Sequence, residues 1–451
     1  MCGLAVSFAI LKVRPESKER LIKMIKFADM KEKLEKGLLD EEFSLVYKKE
    51  AIAAQYARYL DVLSSFGELF DKDGEREVVL FSAPGRSEIG GNHTDHNHGL
   101  VLAAGISLDA IAVASKNDAG IVRIKSAGYP MDIVDCNELD VVEKEMGKSQ
   151  SIVRGIVARF RQLGYNIGGF DATTASQVLS GSGLSSSAAF EVLVCTMLNY
   201  LYNDGKIDPI EIAKISQYSE NVYFGKPCGL LDQMACSVGS FVSIDFEDTA
   251  KPIVKKIDFD FEKSGHSLVI VDTKGSHSDL TDDYAAVRRE MEMVAEYFGK
   301  KVLREVDKKD VLANAGDIAK KVSPRAVIRA MHYYGENEKV VLQSEALSKN
   351  DFEQFKKLII ESGFSSYMYN QNVYTQKAGA DQPLSLALCI SEQLLKGKGA
   401  WRVHGGGFAG TIQAFVPDDM VDTYTKAMKA VFGDDACYVL SIRPYGGVML
   451  A

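Results

Sequence analysis

The chain is short of several things, and each shortage narrows what it can be. It has no surplus of positive charge: 53 Lys and Arg stand against 62 Asp and Glu, a formal net charge of −9. Nucleic acid and anionic membrane both reward clustered Lys and Arg, so neither is expected as the principal partner, although a local basic pocket can still hold an anionic substrate. It has no long apolar run near its start. Leu4–Leu11 is too short to span a bilayer, and KVRPESKER follows it where a signal peptide would have a cleavage site, so it reads as ordinary structure. It has no CxxC pair. The seven cysteines, Cys2, Cys136, Cys195, Cys228, Cys236, Cys389 and Cys437, are scattered and odd in number, which fits a reduced, cytoplasmic compartment. No long internal repeat is visible.

What is present is a 451-residue chain of ordinary globular composition, 46% hydrophobic and 25% charged, long enough for two or three domains and a large core. Residues 1–44 are Lys-rich, with Leu21, Met24, Ile25 and Ala28 at helical spacing. Helical patterns follow over Glu42–Phe70, Ile152–Leu163, Ala188–Leu201, Pro209–Phe224, Asp279–Phe298 and most of 309–400. Strands are expected at Val78–Ser82, Leu100–Ala114, Ile121–Lys125, Ser240–Asp245, Ser267–Asp272, Trp401–His404 and Thr411–Val416. The mixture points to an α/β or α+β chain, with a boundary in the polar stretch Thr249–Gly265.

Four segments carry chemistry. Pro84–Gly99, PGRSEIGGNHTDHNHG, holds four Gly, three His, two Asn, one Arg, one Glu and one Asp, and reads as a loop that presents hydrogen-bonding groups to something polar. Ser180–Ala189, SGSGLSSSAA, opens a helix; its glycines and exposed N–H groups suit a phosphate, though a simple Gly/Ser cap would read the same, and no Walker A ending follows. Gly225–Gln233, GKPCGLLDQ, places Asp232 at the head of an apolar run, with Glu220 on the preceding helix; these are either functional acids or a cap and a solvated Glu. Gly405–Gly410, GGGFAG, lies between two strands, as a close backbone approach or a tight hairpin turn. His93, Asp95, His96 and His98 have metal-ligand spacing, which raises a zinc or iron hydrolase. Against it, His266, His277, His332 and His404 are isolated, and an all-loop site lacks a ligand from a distant rigid element.

Taken together and in this order, the four segments resemble those of the GHMP kinases, and within them the galactokinases, over about residues 45–451. YARYLDVLSSFGELF is similar to the helix that precedes the sugar loop in that family; residues 1–44 have no evident counterpart. The resemblance implies an α+β GHMP kinase fold of two mixed α/β domains, the first ribosomal-protein-like and the second ferredoxin-like, with the active site between them. The expected division is a helical extension over 1–44, a first domain over 45–255 and a second over 256–451.

It also implies ATP-dependent phosphorylation of the anomeric hydroxyl of galactose, with Mg²⁺. Asp232 matches the acid that takes the sugar's proton, and Arg86 the cation beside it, which would keep Asp232 ionised and stabilise the transferred phosphoryl. Ser180–Ser187, including Gly181, Ser182, Gly183, Leu184, Ser185, Ser186 and Ser187, would wrap the ATP phosphates, and Ser126 aligns with a nucleotide contact. Ser187 and Glu220 match Mg²⁺ ligands. Asn92, His93, Asp95, Gly229 and Tyr284 match sugar-binding positions.

The chain departs from the family where galactokinases usually read GRVNLIGEHTDYN and this one reads GRSEIGGNHTDHN. The Glu that faces the sugar's C6 hydroxyl is Asn92 here, and the usual Tyr is His96. Asn can donate as well as accept and carries no charge, which opens a second expectation, a kinase for galacturonate or another C6-modified galactose. A third, from another class, is a non-catalytic galactose sensor; the complete GLSSSAA, Asp232 and Arg86 favour the enzyme. A cytoplasmic monomer or weak homo-oligomer is expected.

Overall fold

The computed structural model describes residues 24–178, 183–275 and 280–451. Its larger sheet is built on two long antiparallel strands, Glu77–Gly90 and Leu100–Lys116. The second of these is long enough to serve two neighbours. Its far half, 110–116, pairs with Phe170–Ser176, and its near half, 100–104, pairs with Phe241–Asp245. Ile121–Ser126 lies parallel to Phe170–Ser176, and Met131–Asp135 closes that edge. Most residues of the two long strands are buried, so their apolar side chains are not confined to alternate positions.

The pairing of the two long strands breaks between Pro84, opposite Asp109, and Arg86, opposite Gly105. Proline cannot donate to a ladder and is tolerated at such a break. There the first strand turns to a new partner: the Arg86 N–H donates to the Leu184 carbonyl at 3.1 Å. A Cβ at Gly85 would sit 2.8 Å from that same carbonyl oxygen, so the approach requires glycine.

Asp109, fully buried, fills the break. It accepts from Arg58 at 2.9 Å, from Arg443 at 3.4 Å, and from the hydroxyls of Tyr47 and Ser82. These donors come from the N-terminal helices, the first strand and the C-terminal segment. The helices Phe27–Glu35 and Lys49–Phe70 pack on the sheet through Met30, Leu34, Tyr59 and Phe66 against Val78, Leu80, Ile111 and Val113. The chain end returns to the same sheet, where Val448–Met449 pairs with Phe81–Ser82.

The smaller sheet has four antiparallel strands, His266–Asp272, Ala400–Val403, Thr411–Pro417 and Cys437–Leu440, in the spatial order second, third, first, fourth. With helices in the first and third connections this is a ferredoxin-like arrangement. Pro324 after the capping Ser323 starts the longest helix, Pro324–Ser348. No helix among the described residues is long and apolar enough to cross a membrane.

The mixed fold and most elements match the sequence reading. The main difference is at Pro84–Gly90, read as loop from its Pro and Gly but forming the continuation of the first strand; the loop proper is residues 91–99. The segments 131–135, 170–176, 253–257 and 437–440 also form strands that the sequence reading left out. Replacing Asp109 by Ala would strand the fully buried Arg443. The expected outcome is a loss of about 3–5 kcal/mol in urea unfolding, with a smaller loss for Arg58→Ala, whose side chain keeps some contact with water.

Candidate active site

Arg86, delivered by the break in strand pairing, meets Asp232 at the start of the helix Leu231–Val238. The guanidinium binds the carboxylate through two bonds, Nε to Oδ1 at 2.7 Å and Nη2 to Oδ2 at 2.9 Å. Its remaining nitrogen, Nη1, donates to the Gly183 carbonyl, and the Ser185 hydroxyl donates to Asp232 Oδ2. The surrounding protein works against the charge on Asp232, but the Arg86 charge and these hydrogen bonds outweigh it and hold the carboxyl below the ordinary Asp value. The pair forms one wall of a polar cleft of about 240 Å³, which also takes in the 91–99 loop, Ser187, Glu220, Gly229 and Gly405–Gly406. Segments of the larger sheet and its helices supply most of the lining, and the smaller sheet contributes the glycine turn Gly405–Gly406.

On one side lies the turn before the helix Ser186–Tyr202. Gly183 and Ser185 both have positive φ, +73° and +60°. For Ser this is a costly conformation, and here it aims the hydroxyl at Asp232. Leu184 is buried in the core, so only its backbone is available to a ligand. Ser187 is exposed to the cleft and Ser186 half-buried at the helix start, where free N–H groups favour an anion. Gly181 and Ser182 lie outside the described residues. Glu220, almost fully buried, accepts from Gln233 Nε2 at 2.8 Å and pairs with Lys226 at 3.3 Å. Behind them Gln233 also donates to Glu191 at 3.1 Å. Burial first, then the Glu220 charge, pushes Glu191 up to about 8.

On the other side, His93 and Asp95 line the cleft beside Gly229. His93 sits at φ +60° with Nε2 2.9 Å from the Gly406 carbonyl. Asp95 begins the short turn Asp95–Asn97, close enough that a Cβ on Gly229 would lie 3.5 Å from its Oδ2. Burial raises its pKa and the Asp232 charge adds to that, with His93 pulling the other way.

Asn92, Tyr284 and Ser126, expected at the site, do not line the cleft. Asn92 is fully buried: Nδ2 donates to Gly405 O at 2.7 Å and Glu88 Oε1 at 3.1 Å, and Oδ1 accepts from Asn372 at 2.9 Å and Ser366 at 3.3 Å. Tyr284 packs its ring on the glycine turn instead, donating to Gly407 O at 2.9 Å. A Cβ on Gly407 would lie 1.9 Å from the Asn372 carbonyl oxygen, so the glycines here admit protein neighbours as well as a ligand. Ser126 ends its strand with a 2.8 Å bond from Thr174 and does not line the cleft. Among the described residues no group of three or more His, Cys, Asp or Glu could hold a metal by itself.

Comparison with known proteins identifies the family. Residues 151–240 match the model of the GHMP kinases N terminal domain, and residues 64–116 the galactokinase galactose-binding signature. A galactokinase of Streptomyces coelicolor is 31% identical over 375 residues, covering 82% of this chain and 93% of that protein. The chain belongs to the galactokinases of the GHMP kinase family. It is a sugar kinase, and its family uses ATP as co-substrate. Galactokinase of Lactococcus lactis, solved with galactose, superposes with a TM-score of 0.69 at 24% identity over 85% of this chain and 98% of that one. Mevalonate kinase of Methanococcus jannaschii gives 0.58 at 15% identity over 82% and 99%. These likenesses carry the fold.

Sequence reading missed Glu88, Glu191, Lys226 and Gln233. Lys226 and Gln233 stand inside the quoted GKPCGLLDQ. Glu191 falls four residues after Ser187, one helical turn along the same face, a periodicity that was there to be read. Glu191 also sets a pH dependence. Folded, it keeps its proton from its ordinary value of 4.5 up to about 8, while the unfolded chain releases it. Stability should therefore fall as pH rises through that window. Glu191→Gln is expected to flatten the fall, measured as Tm between pH ~5 and pH ~8.

Proposed function

We propose that this kinase transfers the γ-phosphoryl group of ATP to the anomeric hydroxyl of galactose. The observation that carries the reading is the bidentate Arg86–Asp232 pair. It is bonded to the Gly183–Ser185 turn, suited to phosphate, and lines the same cleft as the His93–Asp95 turn, suited to a polyol. The sugar hydroxyl would lie against Asp232, which accepts its proton as the new O–P bond forms. Phosphoryl transfer is loose, so most of the acceleration comes from holding the hydroxyl in line and from Arg86 offsetting charge on the transferred group. A carboxylate with a lowered pKa is a weak base but is always ionised at neutral pH, and a late proton transfer asks little more of it.

Ser187 and Glu220 fit Mg²⁺: both offer hard oxygen donors to the cleft, and such an ion takes one or two protein ligands and completes its shell with water and substrate phosphates. Bound there, it would neutralise phosphate charge. Lys226, paired with Glu220 and largely exposed, keeps that carboxylate compensated. Asp95, seated beside Gly229, offers acceptors to sugar hydroxyls; a missing hydroxyl would leave a buried acceptor unpaired. A galacturonate-directed reading needs Asn92 to donate to a C6 carboxylate, but both of its N–H bonds go to Glu88 and Gly405.

Purified protein with galactose and MgATP should release ADP and yield galactose 1-phosphate. ATP and sugar binding without ADP would favour a sensor instead. Asp232→Asn should lower kcat by ~10²–10⁴-fold while galactose affinity changes little. Because Asp232 titrates below its ordinary value of 3.8, the wild-type rate should show no acid limb from this group above pH ~5.

A further inference from the structure

Asn92 is one half of a double change. Set beside GRVNLIGEHTDYN, the string GRSEIGGNHTDHN has Glu88 in place of Asn as well as Asn92 in place of Glu. The two residues have exchanged positions, and they touch: Asn92 Nδ2 donates to Glu88 Oε1 at 3.1 Å. The same Oε1 accepts from Arg402 Nη2 at 2.8 Å. Both bonds fall on one oxygen. Glu88 Oε2 has no hydrogen bond among the described residues, and the side chain, 14% exposed, lines the cleft.

We propose that Glu88 recognises the sugar at the end of the ring away from the reacting hydroxyl, with Oε2 accepting a hydrogen bond from the C4 or C6 hydroxyl and with Arg402 and Asn92 holding the carboxylate in place. This rests on the sugar-kinase reading above. Arg86 and Glu88 lie on one strand two residues apart, so their side chains share a face about 7 Å apart at ~3.3 Å per residue. Arg86 with Asp232 marks the reacting hydroxyl, so Glu88 stands about one pyranose ring away from it. Asn92, sealed among Glu88, Gly405, Ser366 and Asn372, supplies no group to the cleft. A carboxylate at this end accepts from a hydroxyl and repels a C6 carboxylate, so neutral hexoses are selected over uronic acids.

The test combines calorimetric binding with steady-state kinetics on galactose, 4-deoxygalactose, 6-deoxygalactose and galacturonate. Wild type should bind one of the two deoxy sugars ~10–100-fold more weakly than galactose and should not turn over galacturonate. Glu88→Gln should raise the galactose KM and Kd by ~10-fold or more, with kcat within a few-fold, and narrow the penalty against that deoxy sugar. The Glu88→Asn/Asn92→Glu double variant, which returns the carboxylate to the other position, should recover most of the affinity lost in Glu88→Asn alone. Unchanged galactose Kd in a folded Glu88→Gln protein, or equal binding of galactose and both deoxy sugars by wild type, overturns the assignment. Should Glu88→Gln fail to fold, the double variant and the wild-type deoxy-sugar series still decide it. Absence of ADP release from every sugar by wild type would instead overturn the kinase reading on which this stands.

Discussion

A single buried carboxylate, Asp109, fixes the geometry on which the site depends. It sits where the two longest strands stop pairing, and it is held by donors from the N-terminal helices, the first strand and the C-terminal segment. A charge with no contact with water persists only if it is matched, and here the match is made by three separate stretches of chain. The break is thereby given one shape. That shape frees the Arg86 N–H to bind the turn before the helix Ser186–Tyr202 and points its side chain at Asp232. Arg86 and Asp232 are placed by a strand and a helix start, which position side chains more tightly than free loops do.

The two sheets meet across a polar seam that behaves in the same way. His404 joins Ser87 to Thr411 at 3.1 and 2.9 Å, and His332 spans Asn92 O and Ser365 at 2.9 and 2.8 Å. Burial lowers His404 to about 3 and His332 to about 4. Both rings are neutral at physiological pH and each offers one donor and one acceptor, so they work as fixed linkers and not as switches. The glycine turn 405–407, carried by the smaller sheet, is tied by this seam to the 91–99 loop of the larger one, through Asn92, His93 and Asn372.

How much of this was legible depended on whether a position is governed by its neighbours in sequence or in space. The Ser-rich helix start could be picked out because its residue types and order already signal an anion site, whereas Asp232 and Arg86 stood out only through the order of the four segments that resemble the family's. Pro84–Gly90 could not be read as strand. Its Pro and Gly are breaker signals by themselves, and only the distant Leu184 and Asp109 make them fit a strand that changes partners. Phe170–Ser176, FDATTAS, is too short and polar to declare itself, yet it is buried between two neighbours. Asn92 belongs with it: its environment is set by Glu88, four residues away in sequence and in contact in space.

That contact also explains why the exchange comes as a pair. Arg402 is fully buried, its Nη1 is spent on the Ile89 carbonyl, its Nε has no partner among the described residues, and its ion pair is with Glu88. A chain with Asn at both 88 and 92 would leave that guanidinium without the carboxylate that compensates it, at a cost of several kcal/mol. A chain with Glu at both would bring two carboxylates to a space where one amide now donates, and the amide's bonds to Glu88 and the Gly405 carbonyl would be lost. Either single step is penalised, whereas the exchange keeps one negative charge, one amide and one guanidinium in the same pocket. What changes is the direction from which the charge enters the cleft. In this chain it comes from the strand that carries Arg86, so Glu88 and Arg86 are held on one rigid element.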